Sequence, residues 1–496
     1  MTRTVPPGAQ APETRSTGRS SAAVRTLDCD VCVVGDDSAG LIIAGDLACR
    51  GQKVIVIATG PGPQLPVDGI LAPGFALPTA DLVARVGEAD AQELLILSAQ
   101  AADRGLRLAA KAGAAVGPRG RLAVARPHAA AALLREHELR QRLAPDSAIL
   151  VEGEDTACLL GTTAFAVAMG VVPAERIAPE ALRVALEAAA RAAGVRFLSV
   201  EGALAADLKG LRKYISTGTV RVRAYHVVAT GAAAFARLGT AAPRVARAPW
   251  VGGAFRVPGT RIPYAGLVEE PGPAGHRFHF DEERLSFAAA VASPVLTRVG
   301  AARIVRRHAR ELYPDVGEGL VEAAQGRLLP DTGGMPLVLE SERGVWCALA
   351  SAGDEISHGL LAAGLIVGAI AERDDRIALL QPFAASMPGG GWAGRLARFA
   401  GFWHVRLAEK LHSDAGLPAL DESAPAPLTA GHPENRGAPA PRRGMAAATH
   451  ASRHAARAAL HAASGWASGI AARAAAVPAR RRPRVAAEED EAPQRR

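Results

Sequence analysis

The residues best placed to do chemistry form a short acidic turn near the N-terminus. The turn reads GDDSAG and begins at Gly35, so Gly35 and Gly40 match two glycines of the G-x-G-x-x-G turn that binds a dinucleotide pyrophosphate. Asp37 replaces the middle glycine, and its carboxylate would add bulk and negative charge beside two phosphates. Ala58 and Thr59 stand where an acidic residue should bind the ribose. The turn therefore predicts a nucleotide-binding fold with a weakened site.

No other motif points to a catalytic or metal site. Cys29 and Cys32 spell CxxC, but they lie on a predicted strand, where residues three apart point to opposite faces. His137 begins a zinc-helix pattern, but Gln141 stands where the second histidine is required. The chain has no P-loop and no GxSxG, and its other histidines lack ligand spacing. We predict no metal site and assign no catalytic residue.

The elements that would position the turn follow from apolar periodicity. A short apolar run at 30–34 leads into the turn, a helix with Ser38 and Ala39 in its first turn ends at Gly51, and a second apolar run covers 53–57. Strand, helix and strand within about 30 residues predict a βαβ unit and a parallel sheet. Further helices are predicted at 179–193 and 360–372, and further strands at 195–200, 225–229 and 344–349.

Composition limits the size of the fold, the partners and the compartment that the chain can have. The 496 residues exceed one compact core, and 49% hydrophobic residues supply a large interior. The net charge of +8 resides in residues 436–496, which hold twelve arginines and four acidic residues, so nucleic-acid binding by the main body is unfavoured. Five cysteines predict a reducing compartment, which we take to be the cytoplasm. The longest apolar run, 359–371, is too short to span a bilayer, so no transmembrane helix is predicted.

In order and spacing, these segments resemble the FAD-dependent oxidoreductases of the D-amino-acid oxidase/glycine oxidase superfamily. Within that superfamily they are most similar to the gamma-glutamylputrescine oxidase-like branch. The segments that carry the resemblance are 30–57, LVARVGEADAQELLIL (82–97), GRLAV (120–124), 179–200, 220–231 with its Ala-Thr-Gly ending, ELYPD (311–315), GRLLPDTGGMPLV (326–338), 344–371 and LQPF (380–383). The resemblance covers roughly residues 27–410 and implies an FAD cofactor bound near Thr230, Gly231, Gly353, Asp354 and Gly359, besides the first turn.

The departures from the family pattern fall where FAD would be bound. The family's Ser/Gly/Asn-rich loop after the second strand is replaced by GPGPQLP at 60–66. The C-terminal glycine turn reads GDEISHG at 353–359 and so gains two acidic residues. The family's Thr-x-Asp becomes Asp-Thr-Gly at 331–333. Together with Asp37 and Ala58, these changes predict weak or lost FAD binding.

The predicted fold class is α/β, with a discontinuous Rossmann-like FAD-binding domain and a second, α+β substrate domain. The FAD-binding domain would comprise 27–80, 175–240 and 320–383, and the substrate domain 81–174 and 241–319. A disordered tail is expected at 1–26, a helical extension at 384–412, and a disordered basic tail rich in Ala, Arg and Pro at 413–496.

Two functions are compatible with this interpretation. The first is an FAD-dependent oxidoreductase that oxidises a small amine or amino acid by hydride transfer to the flavin. Tyr264, His279 and Arg284 would then be available on the substrate sheet. The second is an inactive pseudoenzyme that keeps the fold as a binding or scaffold protein, with the basic tail contacting an acidic partner. The sequence leaves both open, as it does the substrate and the choice between oxidase and dehydrogenase.

Overall fold

The computed structural model describes residues 25–384, with gaps at 61–66, 200–201, 203, 239–244, 249, 258–263, 272–274, 282, 291–297, 318, 323–326, 331–333 and 351–353. The first strand, β1, begins at Arg25, within the last two residues of the tail predicted at 1–26, and residues 1–24 lie outside the described residues. The predicted extension after Ala384 and the basic tail lie outside the described residues.

Buried, largely β-branched runs form a six-stranded sheet. Its order is β20 (Leu337–Glu342), β21 (Val345–Leu349), β12 (His226–Thr230), β2 (Val31–Val34), β3 (Val54–Ala58) and β8 (Arg196–Ser199). β20 runs antiparallel to β21, and the other five strands run parallel to one another. Val31 pairs with Val54 in parallel register, as the βαβ prediction requires. The α/β fold class is therefore confirmed.

A larger, mostly antiparallel sheet stands apart from the first. Its order is β18 (Gly319–Glu322), β14 (Trp250–Arg256), β17 (Arg284–Ala290), β16 (His276–Asp281), β15 (Leu267–Glu269), β5 (Ala115–Ala125), β7 (Val167–Ile177) and β4 (Ile70–Leu71), with β6 (Ala148–Glu152) also pairing with β7. We call it the nine-stranded sheet. Neighbours along each strand alternate between its two faces.

Two small sheets complete the strands. One contains β1 (Arg25–Asp28), β11 (Val220–Ala224), β10 (Lys213–Thr217) and β9 (Ala205–Asp207), and the other pairs β13 (Val245–Ala248) with β19 (Arg327–Pro330). β10 and β11 form a hairpin around Gly218. Apolar residues of this four-stranded sheet share a core with β2, β3, β12 and β21, so the four-stranded sheet covers one face of the six-stranded sheet.

The helices among the described residues are α1 (Ser38–Cys49), α2 (Thr79–Val86), α3 (Glu88–Lys111), α4 (Ala130–Leu143), α5 (Gly153–Leu160), α6 (Pro179–Ala192), α7 (Gly231–Leu238), α8 (Arg298–Leu312), α9 (Glu355–Val367) and α10 (Gln381–Ala384). Four of them cover the opposite face of the six-stranded sheet. α1, α3, α6 and α9 pack together in the main core with β2 and β3. The segment 82–97, which carries part of the family resemblance, is divided between α2 and α3 by Gly87, whose φ of +84° ends α2.

The helix predicted to start at 360 begins five residues earlier, at Glu355, and ends in a π-helical turn, Gly368–Glu372. This 18-residue stretch is long and apolar enough to cross a membrane by composition, but 67% of it is buried inside the protein. It contacts α1 and α3, so it serves as a central core helix of this fold.

A chain of buried and partly buried polar groups joins α8 to one face of the nine-stranded sheet. Glu270 accepts hydrogen bonds from Arg126 at 2.8 Å and from His276 Nδ1 at 2.8 Å, and His276 Nε2 lies 3.1 Å from His308 Nδ1. Burial raises the pKa of Glu270, but its bonds to His276 and Arg126 outweigh burial and bring the pKa to about 2. These groups use their hydrogen-bonding capacity on one another, and we therefore assign them a structural role in packing α8 against the sheet.

Candidate functional site

The nucleotide turn has the backbone form that the glycines predict. Gly35 has a φ of +123°, and a Cβ atom there would lie 2.3 Å from the carbonyl oxygen of Thr230. A Cβ atom on Gly40 would lie 2.4 Å from the carbonyl oxygen of Gly35. Both contacts exclude any larger residue. The turn therefore brings β2, α1 and the end of β12 together as closely as a nucleotide-binding turn requires.

The Asp37 side chain occupies the anion-binding end of α1. Its carboxylate accepts a hydrogen bond from the Gly40 N–H at 2.8 Å and so caps the helix. Its Oδ2 atom lies 2.6 Å from the place of a Cβ on Gly231, whose φ is +71°. Burial raises the pKa of Asp37, although the Gly40 bond opposes that shift. The helix N-terminus is thus satisfied by the protein's own carboxylate.

A second carboxylate, which the sequence analysis did not single out, occupies the ribose side of the turn. Asp36 is buried, and its Oδ1 accepts the N–H groups of Thr59 at 2.8 Å and Gly60 at 3.0 Å. The chain after β3 is therefore tied to the turn itself. Ala58, the last residue of β3, lies directly before this connection and carries no group that could bind a ribose hydroxyl.

The remaining residues predicted for the cofactor site lie in two separate regions. Ser38 and Ala39 open α1, and a Cβ on Gly359 of α9 would lie 3.2 Å from that of Ala39, so α1 and α9 approach closely at this point. Thr230 is buried beneath the turn. Asp354 precedes α9 and faces the nine-stranded sheet instead, where it meets three further charged residues. Gly353 lies outside the described residues.

Four charges form a cluster between α9 and the nine-stranded sheet, and we call it the ion cluster. Three of them are buried, and Glu269 is partly buried. Arg121 donates to Asp354 Oδ1 at 2.9 Å and pairs with Glu269. Arg277 donates to Glu269 Oε1 at 2.7 Å and lies 3.4 Å from Asp354 Oδ2. Two cations and two anions therefore alternate, each side chain contacting both members of opposite charge.

The ion cluster is shielded from water, and Asp354 is only 1% exposed. Burial raises the pKa values of Asp354 and Glu269, but Arg121 and Arg277 outweigh it and hold both pKa values below their usual range. All four groups are consequently charged at neutral pH. This cluster was not recognisable from the sequence because its members are spread from residue 121 to residue 354 and match no motif.

Residues 72–75 cover the first turn of α9. Ala72 N–H donates to Ser357 Oγ at 3.0 Å, and His358 Nε2 lies 3.1 Å from the Gly74 carbonyl oxygen. The His358 ring also stacks on Phe75 with centroids 5.6 Å apart. This end of α9 is therefore enclosed by the chain itself and by the ion cluster.

These contacts test whether the site fits FAD, which the resemblance implies. The pyrophosphate position holds the Asp37 carboxylate, the ribose side holds Asp36, and the start of α9 is filled by charges paired with each other. Two surface cavities of about 250 and 600 Å³ lie around Asp375, beyond the C-terminal end of α9, and no predicted site residue lines either. The side chains as they stand do not fit FAD, so no reaction step is derived through it.

The three polar residues predicted for the substrate sheet have different surroundings. Tyr264 is buried against Gly120 and Gly266, where added Cβ atoms would lie 2.5 and 2.4 Å from its hydroxyl oxygen. Burial raises its pKa, so Tyr264 stays protonated. His279 is 2% exposed, and burial, followed by the charges of Arg176 and Arg284, lowers its pKa to about 3. Arg284 is exposed at the end of β17.

The low pKa of His279 predicts that stability falls on mild acidification. The histidine takes up a proton near its ordinary pKa of 6.5 in the unfolded chain and only near pH 3 in the folded chain. The free energy of unfolding therefore decreases as pH falls from 6.5 towards 3. Between pH 7 and 5 we expect a loss of roughly 2 kcal/mol from this residue. Urea unfolding at both pH values should show a smaller loss in His279→Gln than in wild type. His128→Gln, at an exposed position, is the control, and equal losses in all three proteins would contradict the prediction.

Comparison with known proteins agrees with the fold. The family model "FAD dependent oxidoreductase" matches residues 30–373. Glycine oxidase from Geobacillus kaustophilus is 19% identical with a TM-score of 0.56, covering 72% of this chain and 98% of its own. L-proline dehydrogenase from P. horikoshii is 14% identical with a TM-score of 0.55, covering 72% and 98%. L-amino acid deaminase from Proteus vulgaris is 16% identical with a TM-score of 0.53, covering 75% and 98%. Among curated proteins no match was found.

At these identities the solved structures establish the fold, and the family model establishes the lineage over most of the described chain. The predicted superfamily is confirmed, whereas its gamma-glutamylputrescine oxidase-like branch stays a prediction. This chain belongs to the FAD dependent oxidoreductase family, whose cofactor is FAD.

Proposed function

We propose that this chain is a member of the family that binds FAD weakly or not at all and serves as a binding or scaffold protein. The observation that carries the proposal is the ion cluster, which fills the space in front of α9 with charges that satisfy each other. A fold alone does not supply activity, because the site residues must do so.

Electrostatics at the nucleotide turn support the same proposal. Two unit charges about 4 Å apart interact by about 4 kcal/mol at an effective dielectric constant of about 20. Each ionised carboxylate beside the pyrophosphate therefore opposes binding by an amount comparable to several powers of ten in affinity. Protonation of Asp37 would remove its charge but leave its bulk against Gly231.

The second candidate is FAD-dependent oxidation of a small amine or amino acid. It is favoured by the glycine geometry at Gly35, Gly40 and Gly231, which this chain keeps although its side chains have changed. The structurally similar glycine oxidase, L-proline dehydrogenase and L-amino acid deaminase act on amino acids by name, which supports the same substrate class here. This candidate requires Asp37 and the ion cluster to move away before FAD enters.

The absorption spectrum of the purified full-length chain distinguishes the two candidates. We expect a colourless protein whose unfolding temperature does not rise when FAD is added. A ligand at 100 times its Kd would stabilise the folded state by about 2.7 kcal/mol, which is readily detected. Yellow protein with one FAD per chain, bleached by an amino acid or amine under anaerobic conditions, would overturn the scaffold proposal and establish the oxidoreductase.

The proposal also includes a cellular compartment and a binding partner for this chain. The five cysteines are all free, which supports a reducing compartment such as the cytoplasm. The arginine-rich segment at 436–496, outside the described residues, would supply the contact to an acidic partner.

A further inference from the structure

The larger of the two surface cavities carries three acidic side chains that point to a basic partner. The cavity has a volume of about 600 Å³, and it is lined by the end of α2, the start of α3 and residues 375–382. Asp90, Glu93 and Asp375 line it, and all three are at least partly exposed. Within the described part of the chain, none of these three side chains has a hydrogen bond or a salt bridge. We call this cavity the acidic groove.

Two arginines also line the acidic groove, but each already has a partner. Arg376 donates to Asp374 Oδ2 at 2.7 Å, and the Arg85 guanidinium lies 5.9 Å from the centre of the Phe383 ring. Three acidic and two basic side chains leave the lining with a net charge of −1. The charge that still lacks a partner is therefore negative. The rest of the lining is apolar and comes from Val86, Ala378, Leu379 and Pro382.

The described chain ends beside the acidic groove. Pro382 of α10 lines the groove and α10 ends at Ala384, so the following residues start from this surface. Pro388 and the three glycines after it favour a turn. The seven residues between Ala384 and Trp392 reach at most about 28 Å when fully extended. The segment that begins at Trp392 can therefore return to the groove, at the high effective concentration that a short tether gives.

Residues 392–411 have the pattern of an amphipathic helix with a basic side. Five large apolar residues recur at helical spacing and so share one face, which we call the aromatic stripe: Trp392, Leu396, Phe399, Trp403 and Leu407. At 3.6 residues per turn, Arg395, Arg398 and Arg406 all lie to the same side of the aromatic stripe. With Lys410 and Glu409 the segment has a net charge of +3. Such a helix requires an apolar surface with acidic groups beside it.

We propose that residues 392–411 dock as a helix in the acidic groove of their own chain. The aromatic stripe would cover the apolar lining at Leu379 and Pro382, and the arginines would lie beside the three carboxylates. Burial of the aromatic rings supplies most of the affinity, because these residues carry a large apolar area. Exposed ion pairs contribute little individually, and they act here by selecting which side of the helix faces the acidic residues.

This inference goes beyond the proposed function and does not depend on it. The acidic groove lies beyond the C-terminal end of α9, whereas the FAD question concerns the turn at Gly35–Gly40 and the start of α9. Flavin binding and docking of the segment can therefore be measured separately on the same full-length chain.

Trypsin digestion of the full-length chain, followed by mass spectrometry, tests the docking. Trypsin cleaves after the basic residues of 392–411 and after the arginines of 436–496. We expect cleavage within 392–411 to be at least tenfold slower than cleavage within 436–496. Neutralising the groove with Asp90→Asn, Glu93→Gln and Asp375→Asn together should raise the rate within 392–411 about tenfold. Asp207→Asn, an exposed change on β9 across the six-stranded sheet, should leave it unchanged.

A second pair of variants tests the aromatic stripe. Phe399→Ser combined with Trp403→Ser removes two of its rings and should abolish the protection of 392–411. Val405→Ser is the matched control, because helical spacing places Val405 on the side opposite Trp403. The control should be cleaved at the wild-type rate.

Four outcomes would overturn the proposal. The first is cleavage within 392–411 as fast as cleavage within 436–496. The second is equal protection in wild type and in the variant with the neutralised groove. The third is protection that appears only with vesicles of phosphatidylcholine and phosphatidylserine, which would assign the aromatic stripe to a membrane surface. The fourth is protection that is lost on dilution, which would show that a second copy of the chain supplies the segment.

Discussion

Asp354→Asn is expected to lower the free energy of unfolding by about 3–5 kcal/mol, the cost of breaking a buried ion pair by removing one partner. The substitution preserves size and removes one charge from the ion cluster. Arg121 and Arg277 would then share Glu269 alone and leave one uncompensated positive charge out of contact with water. This is the largest stability effect that we expect from a change of one functional group in this chain.

Urea unfolding of Asp354→Asn measures that effect. The control is Asp103→Asn, which removes the same group from the exposed Asp103–Arg107 pair on α3. Surface pairs of this kind contribute at most about 1 kcal/mol, so the control should stay close to wild type. If both variants lose the same free energy, the ion cluster is hydrated and does not hold α9 against the sheet.

Opening the nucleotide turn is expected to raise the affinity for a nucleotide by one to several powers of ten, at about 1.4 kcal/mol per tenfold. Asp37→Gly frees the Gly40 N–H and the N-terminus of α1 for a phosphate. Ala58→Glu supplies the missing ribose anchor, through charge-assisted hydrogen bonds of about 1.5–3 kcal/mol each. The structure adds Asp36→Ala, because Asp36 would repel the new glutamate beside Thr59.

Measuring the affinities for both ADP and FAD shows which part of the site any gain comes from. ADP lacks the flavin ring and therefore reports the turn alone, whereas FAD must also enter the space beside the ion cluster. The triple variant should bind ADP more tightly than wild type does, with Asp37→Asn as the control that keeps the side chain and removes its charge. Tight stoichiometric FAD binding by wild type, unchanged in the triple variant, would show that these carboxylates do not obstruct the site.

Local patterns predicted much of the fold. The order β2–α1–β3, the parallel pairing of Val31 with Val54 and the packing role of Gly35 follow from apolar periodicity and one glycine motif. Helix ends were less accurate, because tertiary contacts decide them. α9 begins at Glu355 since Ser357 and His358 bind residues 72–75, a contact that no local pattern contains.

The site was predictable only where a motif marks it. Asp37 stood at a glycine position and was recognised, whereas Asp36 stood at a variable position and was not. Arg121 and Glu269 are charged residues within strands, a pattern that usually indicates a solvent-exposed face. Their burial depends on which strands become neighbours, and strand order is a property of the whole fold.

The ion cluster also constrains the order in which the chain can fold. Its members come from residues 121, 269, 277 and 354, so a chain growing from the ribosome holds Arg121, Glu269 and Arg277 with one excess positive charge until Asp354 emerges. β21, which precedes Asp354, is also needed to pair with β12 inside the six-stranded sheet. Native assembly of the main body therefore awaits the last strand–helix unit, and nascent chains that end before it should stay dependent on chaperones.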